Sequence, residues 1–329
     1  MKRLFKVNYR VASTFYSIIK HEIKHLSVLI SLFWNFLHDF WFYSKYSLTF
    51  NTNSEDKSQA KIILLMHALE KGLSFKQKKD GWGGVKALQL SKYIVRHIQK
   101  YGKNRIVDIS LSVLMAYLQD PKSSKSPKYR VNVEKLIEKY QDTIDTSLGG
   151  TKIVSKPNFS IKYEEILEFF RSRNSVREYS SEPITKEEIE RAYLIAKTTP
   201  TVCNRQSIKY YVIKETSAKS LIIENQLGDQ GWCYNADTIF LITANQSYFG
   251  GVYERNQAFI DGGLYSMNLA MGLHAQGIAT CFKMYIRERK KDKELKQCLN
   301  IGREEVPIVL LFAGHFMESK VFSPRSLKF

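Results

Sequence analysis

The sequence predicts an α+β fold, a mixed or antiparallel sheet flanked by helices and preceded by an all-helical N-terminal domain. Three observations carry the reading. Residues 26–144 place apolar side chains at helical spacing and contain no β-rich run. Four short apolar runs, IKYYVIK (208–214), TIFLIT (238–243), GIATCF (277–282) and PIVLLFAG (307–314), are confined to the second half. Between the halves, SLGGTKIVSKPNFS (147–160) has the Gly, Pro and Ser content of a linker. We therefore expect two domains, residues 1–150 and 161–329.

The first apolar stretch, residues 26–43, sets Leu29, Leu32, Phe33, Phe36, Leu37 and Phe40 on one helical face and Ser31, Asn35, His38 and Lys45 on another. It is too short to span a bilayer and carries Asp39, a residue costing about 2.5–3.5 kcal/mol near the bilayer centre. Two readings remain: the face packs on the protein's own helices, or it lies in a membrane interface. Polar NTNSEDKSQ (51–59) breaks the pattern. A helix follows from about Lys61 through HALEKGL (67–73), with Gly72 as its expected stop. GWGG (81–84) is a turn, and helices are expected over 85–100, 106–119 and 131–144, with a loop at PKSSKSPK (121–128). The glycines at 81–84 follow no strand and lack G-x-G-x-x-G spacing, so they are not a nucleotide fingerprint.

In the second half a short helix is expected over 161–171. Thr185 and Glu188 form a capping box that opens another, running to about Lys197. Residues 253–276 carry apolar residues at helical spacing. No internal repeat is present at a period of 20–50 residues.

Composition bounds the class. The chain has 329 residues, 44% of them hydrophobic, enough for a substantial core and against disorder. Its net charge of +18 is skewed: 27 Lys/Arg against 12 Asp/Glu in residues 1–160, and 23 against 20 thereafter. Such a skew suits an anionic partner or a solvated basic surface. Nucleic acid is not expected, because the aromatic residues of the basic half cluster on an apolar face. Cys203, Cys233, Cys281 and Cys298 form no C-x-x-C pair, and read as reduced, mostly buried thiols of a cytoplasmic protein. The N-terminus begins with Lys2 and Arg3, but His21, Glu22, Lys24 and His25 intervene before any apolar run, which does not resemble a secretory leader.

Three constellations could carry chemistry. RNSVR (173–177) crowds Arg173, Ser175 and Arg177; like charges this close are tolerable around a dianion, which gives each guanidinium charge-assisted hydrogen bonds. The alternative is a solvated turn paired with Glu178 and Glu182. In TTPTVCNRQS (198–207), Pro200 ends a helix, and Asn204, Arg205 and Gln206 are polar loop residues able to read the edge of a planar ligand. In residues 254–282, Gly262, Gly263, Gly272 and Gly277 lie in or beside an apolar helix, where glycine needs close packing or backbone access to justify it.

Taken in order, RNSVR, PTVCNRQS (200–207), DGGLYSMNLAMGLHAQGIATCF (261–282) and VPIVLLFAGHF (306–316) resemble the FMN-dependent nitroreductase family over residues 161–329. The resemblance implies that Arg173 and Ser175 hold the FMN phosphate and that Arg177 lies near the ribityl chain or pyrimidine, in an electrostatic catalytic role. It implies that Thr201, Asn204 and Gln206 reach the flavin from the partner of a homodimer. Thr280, Cys281 and Phe282 would offer backbone amides near N5 and O4, and Arg325 a second phosphate contact. NAD(P)H is the implied electron donor. Two departures stand out: Thr201 occupies the usual serine position, and Ser207 replaces the usual proline. The helical half resembles the extra segment of larger nitroreductase-like proteins associated with bacterial surface-polysaccharide gene clusters, through His67, Glu70, Lys71, Gly72 and Leu73. His67 and Glu70 share a helix face, but without further ligands they read as a hydrogen-bonded pair rather than a metal site.

The expected function is thus an FMN-dependent NAD(P)H oxidoreductase, tailoring a polysaccharide or lipid-linked intermediate. It would be cytoplasmic, with peripheral contact to the inner face of the membrane through residues 26–43. The alternative is a non-catalytic or weakly catalytic flavin-fold scaffold whose basic helical half binds a membrane surface or polyanion.

Overall fold

In a computed structural model of the protein, the described residues are 2–123, 127–224, 226 and 231–324, with side chains from residue 20 onward and without that of Pro127. The chain divides into two compact units, Met1–Ser47 and Leu48–Phe329.

The first unit is one helix, α1 (Lys2–Tyr46), far longer than the 26–43 stretch expected from its apolar run. The polar residues at 21–25 do not end it. Neither glycine nor proline occurs between residues 2 and 46, so no residue in the run carries a large helix penalty. No helix among the described residues is long and apolar enough to cross a membrane.

The second unit opens with four helices, α2 (Glu55–Ser74), α3 (Gly84–Tyr101), α4 (Arg105–Gln119) and α5 (Pro127–Tyr140). Their N-termini follow from local chemistry: Ser54 caps α2 by accepting from the Lys57 amide, and Asn104 caps α4 by accepting from Val107. These helices bury a cluster of their own, including Leu65, Leu69, Leu90, Ile94, Leu111 and Leu114. Gly72 does not stop α2, which runs on to Ser74. A Cβ there would overlap the Trp82 indole, so the glycine serves close packing. The expected helix over 131–144 begins earlier and ends at Tyr140, with a single 3₁₀ turn after it.

After the linker come α6 (Tyr163–Ser172) and α7 (Lys186–Ala196), the latter opened by the reciprocal Thr185–Glu188 box. Then follow β1 (Ile208–Ile213), α8 (Thr216–Glu224), β2 (Thr238–Asn245), α9 (Gln257–His274), β3 (Ile278–Met284), α10 (Arg289–Cys298) and β4 (Glu305–His315). Helices α8 and α10 were not legible as elements in the sequence; both are short. The four strands form one antiparallel sheet in the order β1-β2-β4-β3.

Every residue of β2 is buried, which requires cover on both faces. The two-residue alternation shows how the cover is arranged. Ile239, Leu241, Leu310 and Phe312 point to one face, packed by Ala218 and Ile222 of α8 and Leu295 of α10. Phe240, Ile242, Leu311 and Ala313 point to the other, packed by Ala192 of α7 and Leu269 and Leu273 of α9. Helix α2 is tied to the end of β2, where Asn245 donates to Asp56 at 2.8 Å, and Tyr248 just beyond donates to Gln59 at 3.1 Å.

Candidate active site

Strand β3 is an edge strand, and its outer side receives the arginine segment. Ser175 bridges Thr280 in parallel, and the Val176 amide donates to the Thr280 carbonyl at 3.1 Å. Tyr179 anchors the same segment from below. Its hydroxyl donates to the Val176 carbonyl at 2.7 Å, and Gly314 lies so close that a Cβ there would meet the Tyr179 ring carbons. Burial raises the Tyr179 phenol well above the ordinary tyrosine range, so it acts as a donor and not as an acid. From the other side, the Ser323 hydroxyl donates to the Ser175 carbonyl at 3.1 Å. Arg325, two residues on, lies outside the described residues.

This scaffold gathers cations around one thiol. Cys281 is buried, and burial pushes its thiol up; the opposing pull comes from Arg177, a hydrogen bond with Ser175, Arg173 and Lys283. Arg177 and Lys283 also share the Trp232 ring, with the guanidinium carbon 5.5 Å and the ammonium nitrogen 5.7 Å from its centroid. Lys283 Nζ lies 3.6 Å from Cys233 Sγ. The structure therefore brings together Arg173, Ser175, Arg177, Thr280 and Cys281, and adds Lys283 and Trp232, which the sequence reading missed. Lys283 lies one residue beyond the GIATCF run read from the sequence; only the pairing of β3 with the arginine segment identifies it.

Two polar atoms here are buried without a hydrogen-bond partner, Arg173 Nη1 and Thr280 Oγ1. Buried donors are nearly always satisfied in folded proteins, and an orphaned guanidinium nitrogen fits an anionic group such as a phosphate. Phe282 is half-buried and packs on the α7–α9 side of the sheet.

Thr201, Asn204 and Gln206 form a second group on a different support. Cys203, Asn204 and Gln206 all have positive φ, at 51°, 54° and 50°. Each such residue costs about 1–3 kcal/mol and persists only where the surroundings fix it. Here Asp261 of α9 accepts from the Val202 amide at 3.1 Å, and the Thr201 hydroxyl accepts from the Gln206 amide at 3.0 Å. The loop's main brace is Arg205, which is not the ligand-reading residue its position implied. It is 2% exposed, pairs with Glu254 at 2.7 Å, donates to the Val202 carbonyl and lies over Phe249. Asn204 and Gln206 are exposed, and their side chains bond each other at 2.9 Å. Ser207 is buried and accepts through its carbonyl from Asn245, continuing the β1–β2 ladder.

The 3₁₀ turn at Val202–Asn204 stands on α2, which brings His67 near Arg205. Burial lowers the His67 imidazole below the ordinary range, helped by Lys71 and Arg205. Glu70 lies 3.9 Å from His67 and accepts from the Gly150 amide at 3.4 Å; burial raises its carboxyl. No group of three or more metal-ligating side chains occurs among the described residues. The α9 glycines divide by role. Gly262 faces Ile308 and Gly272 faces the Ala192 backbone, both without room for a Cβ, while Gly277 has φ +74° and turns the chain from α9 into β3.

Fold and site together define a class: an α+β domain in which an arginine-bearing segment bridges the edge strand of an antiparallel sheet. Residues 170–224, spanning the arginine segment, α7, the Thr201–Gln206 loop and β1, match the Nitroreductase family model. YodC of Bacillus subtilis (strain 168), provisionally named an NAD(P)H nitroreductase, is 26% identical, with the alignment covering 45% of this chain and 88% of that protein. Among solved structures, a B. subtilis protein described as a nitroreductase, ydfN, is 18% identical at a TM-score of 0.45, covering 51% of this chain and 96% of that one. A Desulfitobacterium hafniense nitroreductase solved with bound FMN is 17% identical at a TM-score of 0.41, covering 49% and 93%.

Proposed function

We propose that the protein is an FMN-dependent NAD(P)H oxidoreductase of the nitroreductase type. The observation that carries this is the orphaned Arg173 Nη1, buried without a hydrogen-bond partner on the segment that bridges the edge of β3. Arg173 and Ser175 would hold the phosphate, and Arg325 would join them. When bound, FMN would supply the hydride and electron chemistry, taking reducing equivalents from NAD(P)H. The chain's part is positional and electrostatic. Arg177, held over Trp232, would keep positive charge where reduction places negative charge, and the backbone of Thr280, Cys281 and Phe282 would supply fixed dipoles from a buried strand.

Thr201, Asn204 and Gln206 stand apart from Arg173, which suits a homodimer in which this loop completes the partner's site. Exposed apolar side chains on α9 (Phe259, Ile260, Leu264) and α6 (Tyr163, Phe170) offer a surface for that dimer. The division of residues 1–150 from 161–329 is part of the same proposal, supported by the separate core of α2–α5. So are a cytoplasmic location, contact with the inner face of the membrane through residues 26–43, and a polysaccharide or lipid-linked acceptor; the acceptor rests on the resemblance of the helical half alone.

The visible spectrum of the purified protein tests the reading. A yellow preparation bleached by NADH or NADPH is expected. Colourless protein that takes up no added FMN would overturn it and leave the scaffold reading.

A further inference from the structure

We propose that α1 is an in-plane anchor for an anionic lipid surface, a function independent of the flavin reading. At about 100° per residue, Leu26, Leu29, Phe33, Phe36, Leu37 and Phe40 fall in one arc, which widens to about 200° when Ile23, Ile30, Leu32, Trp34, Trp41 and Tyr43 are included; Glu22, His25 and Ser44 also fall within it. Apart from half-buried Tyr43, the large apolar residues of that arc are exposed: Phe36 is 68% and Phe40 71% accessible, and Trp34 64%. Lys20, Lys24, Ser27, Ser31 and Lys45 occupy the opposite arc.

The width and period of the pattern choose the occupant. A second helix of the same kind would need a narrow two-in-seven seam with a 3.5-residue period. Such a repeat would drift by about 50° against a straight helix over eighteen residues. Part of the α1 sequence keeps the straight-helix period. Leu29, Phe33 and Phe36 stand eighteen residues after Val11, Phe15 and Ile18, and Lys20 and Lys24 eighteen after Lys2 and Lys6. Eighteen residues are about five turns at 3.6 residues each, so apolar and basic residues keep their phase along a straight rod. A broad, flat, aromatic face fits an extended planar medium better than a rod of similar width.

Charge and aromatic placement agree. Residues 2–46 contain seven Lys/Arg against two Asp/Glu, which favours anionic over neutral headgroups. Trp34 and Trp41 lie at the margin of the apolar arc beside Ser27 and Lys45, the depth at which an amphipathic indole sits in an interface. Lys45 Nζ is 4.7 Å from the Trp41 ring centroid, so one basic head already stands at that margin. No helix among the described residues could span the bilayer, so the geometry points to a helix lying on it.

Flotation of the full-length protein with lipid vesicles tests this. Vesicles of phosphatidylcholine alone and vesicles with about one third phosphatidylglycerol would be compared, at low and high salt. The wild type should float with the anionic vesicles, less so at high salt. Phe33→Glu with Phe40→Glu should lower the partition at least about tenfold, and Lys20→Gln with Lys24→Gln should lower only the anionic preference, by roughly tenfold. Unchanged thermal unfolding of the rest of the chain would show that the variants fold. Monodisperse wild type that floats with neither vesicle, or flotation indifferent to the Phe33/Phe40 pair, would overturn the proposal. So would an oligomer that binds no vesicle and is dispersed by that pair, which would make a second copy the occupant.

Discussion

Arg173→Met separates a ligand-holding arginine from a structural one by the sign of two effects. The guanidinium has a buried nitrogen with no hydrogen-bond partner. In the protein without ligand, methionine keeps much of the stem's packing while removing an unsatisfied donor worth about 1–3 kcal/mol of penalty. Unfolding temperature should therefore hold or rise; about 1 kcal/mol corresponds to roughly 2–4 °C for a domain of this size. Toward FMN the sign reverses. Loss of a charge-assisted hydrogen bond to the phosphate costs about 1.5–3 kcal/mol, so affinity should fall about 10- to 150-fold. Riboflavin, which lacks the phosphate, provides the internal control and should bind wild type and variant alike. Flavin fluorescence titration gives both affinities and scanning fluorimetry gives the unfolding temperature. A fall of more than about 4 °C without ligand, with FMN affinity within twofold of wild type, would refute the argument.

Two further outcomes follow from the packing and the charges. Gly272→Ala places a Cβ 2.8 Å from the Ala192 backbone and should destabilise by about 1–3 kcal/mol, whereas Gly263→Ala, with nothing within 4 Å, should stabilise by about 0.5–1 kcal/mol; chemical denaturation reads both. Asp120 has its carboxyl held below the ordinary value: burial opposes this, but hydrogen bonds from Lys78, Trp82 and the Lys122 amide overcome it. A depressed carboxylate contributes stability that is complete above its unfolded value and lost as pH falls through the folded one. The unfolding-temperature gap between wild type and Asp120→Asn should thus hold steady above about pH 5 and close below about pH 4.

The sequence was informative where one local rule governs. The four strands, the Thr185 box and α9 all appear within a few residues of their expected places, because alternation, capping and a long apolar period are local signals. It was uninformative where a residue's meaning depends on a neighbour distant in the chain. Gly72 looked like a helix stop because nothing nearby announces that Trp82 will lie against it. Arg205 looked like a ligand reader because Glu254, its partner, is 49 residues away. Helix α1 was read only over its strongest apolar run, 26–43, because the more polar sequence before it gives no comparable signal, although it belongs to the same helix.

The same distinction bears on the pocket. Arg173 and Arg177 are four residues apart, and their crowding is visible in the sequence; Lys283 is not, and it meets Arg177 over Trp232 only because β3 is the sheet's edge strand and Ser175 bridges it. An edge strand ordinarily needs protection from further pairing. Here the arginine segment provides that protection and, in the same contact, gathers three cations around a buried thiol. A purely protective segment would gain nothing from carrying two arginines toward a lysine, since like charges in a partly buried site repel. The arrangement is economical only if an anion completes it, which is why a phosphate-dependent ligand effect, rather than a change in folding, is the expected consequence of altering Arg173.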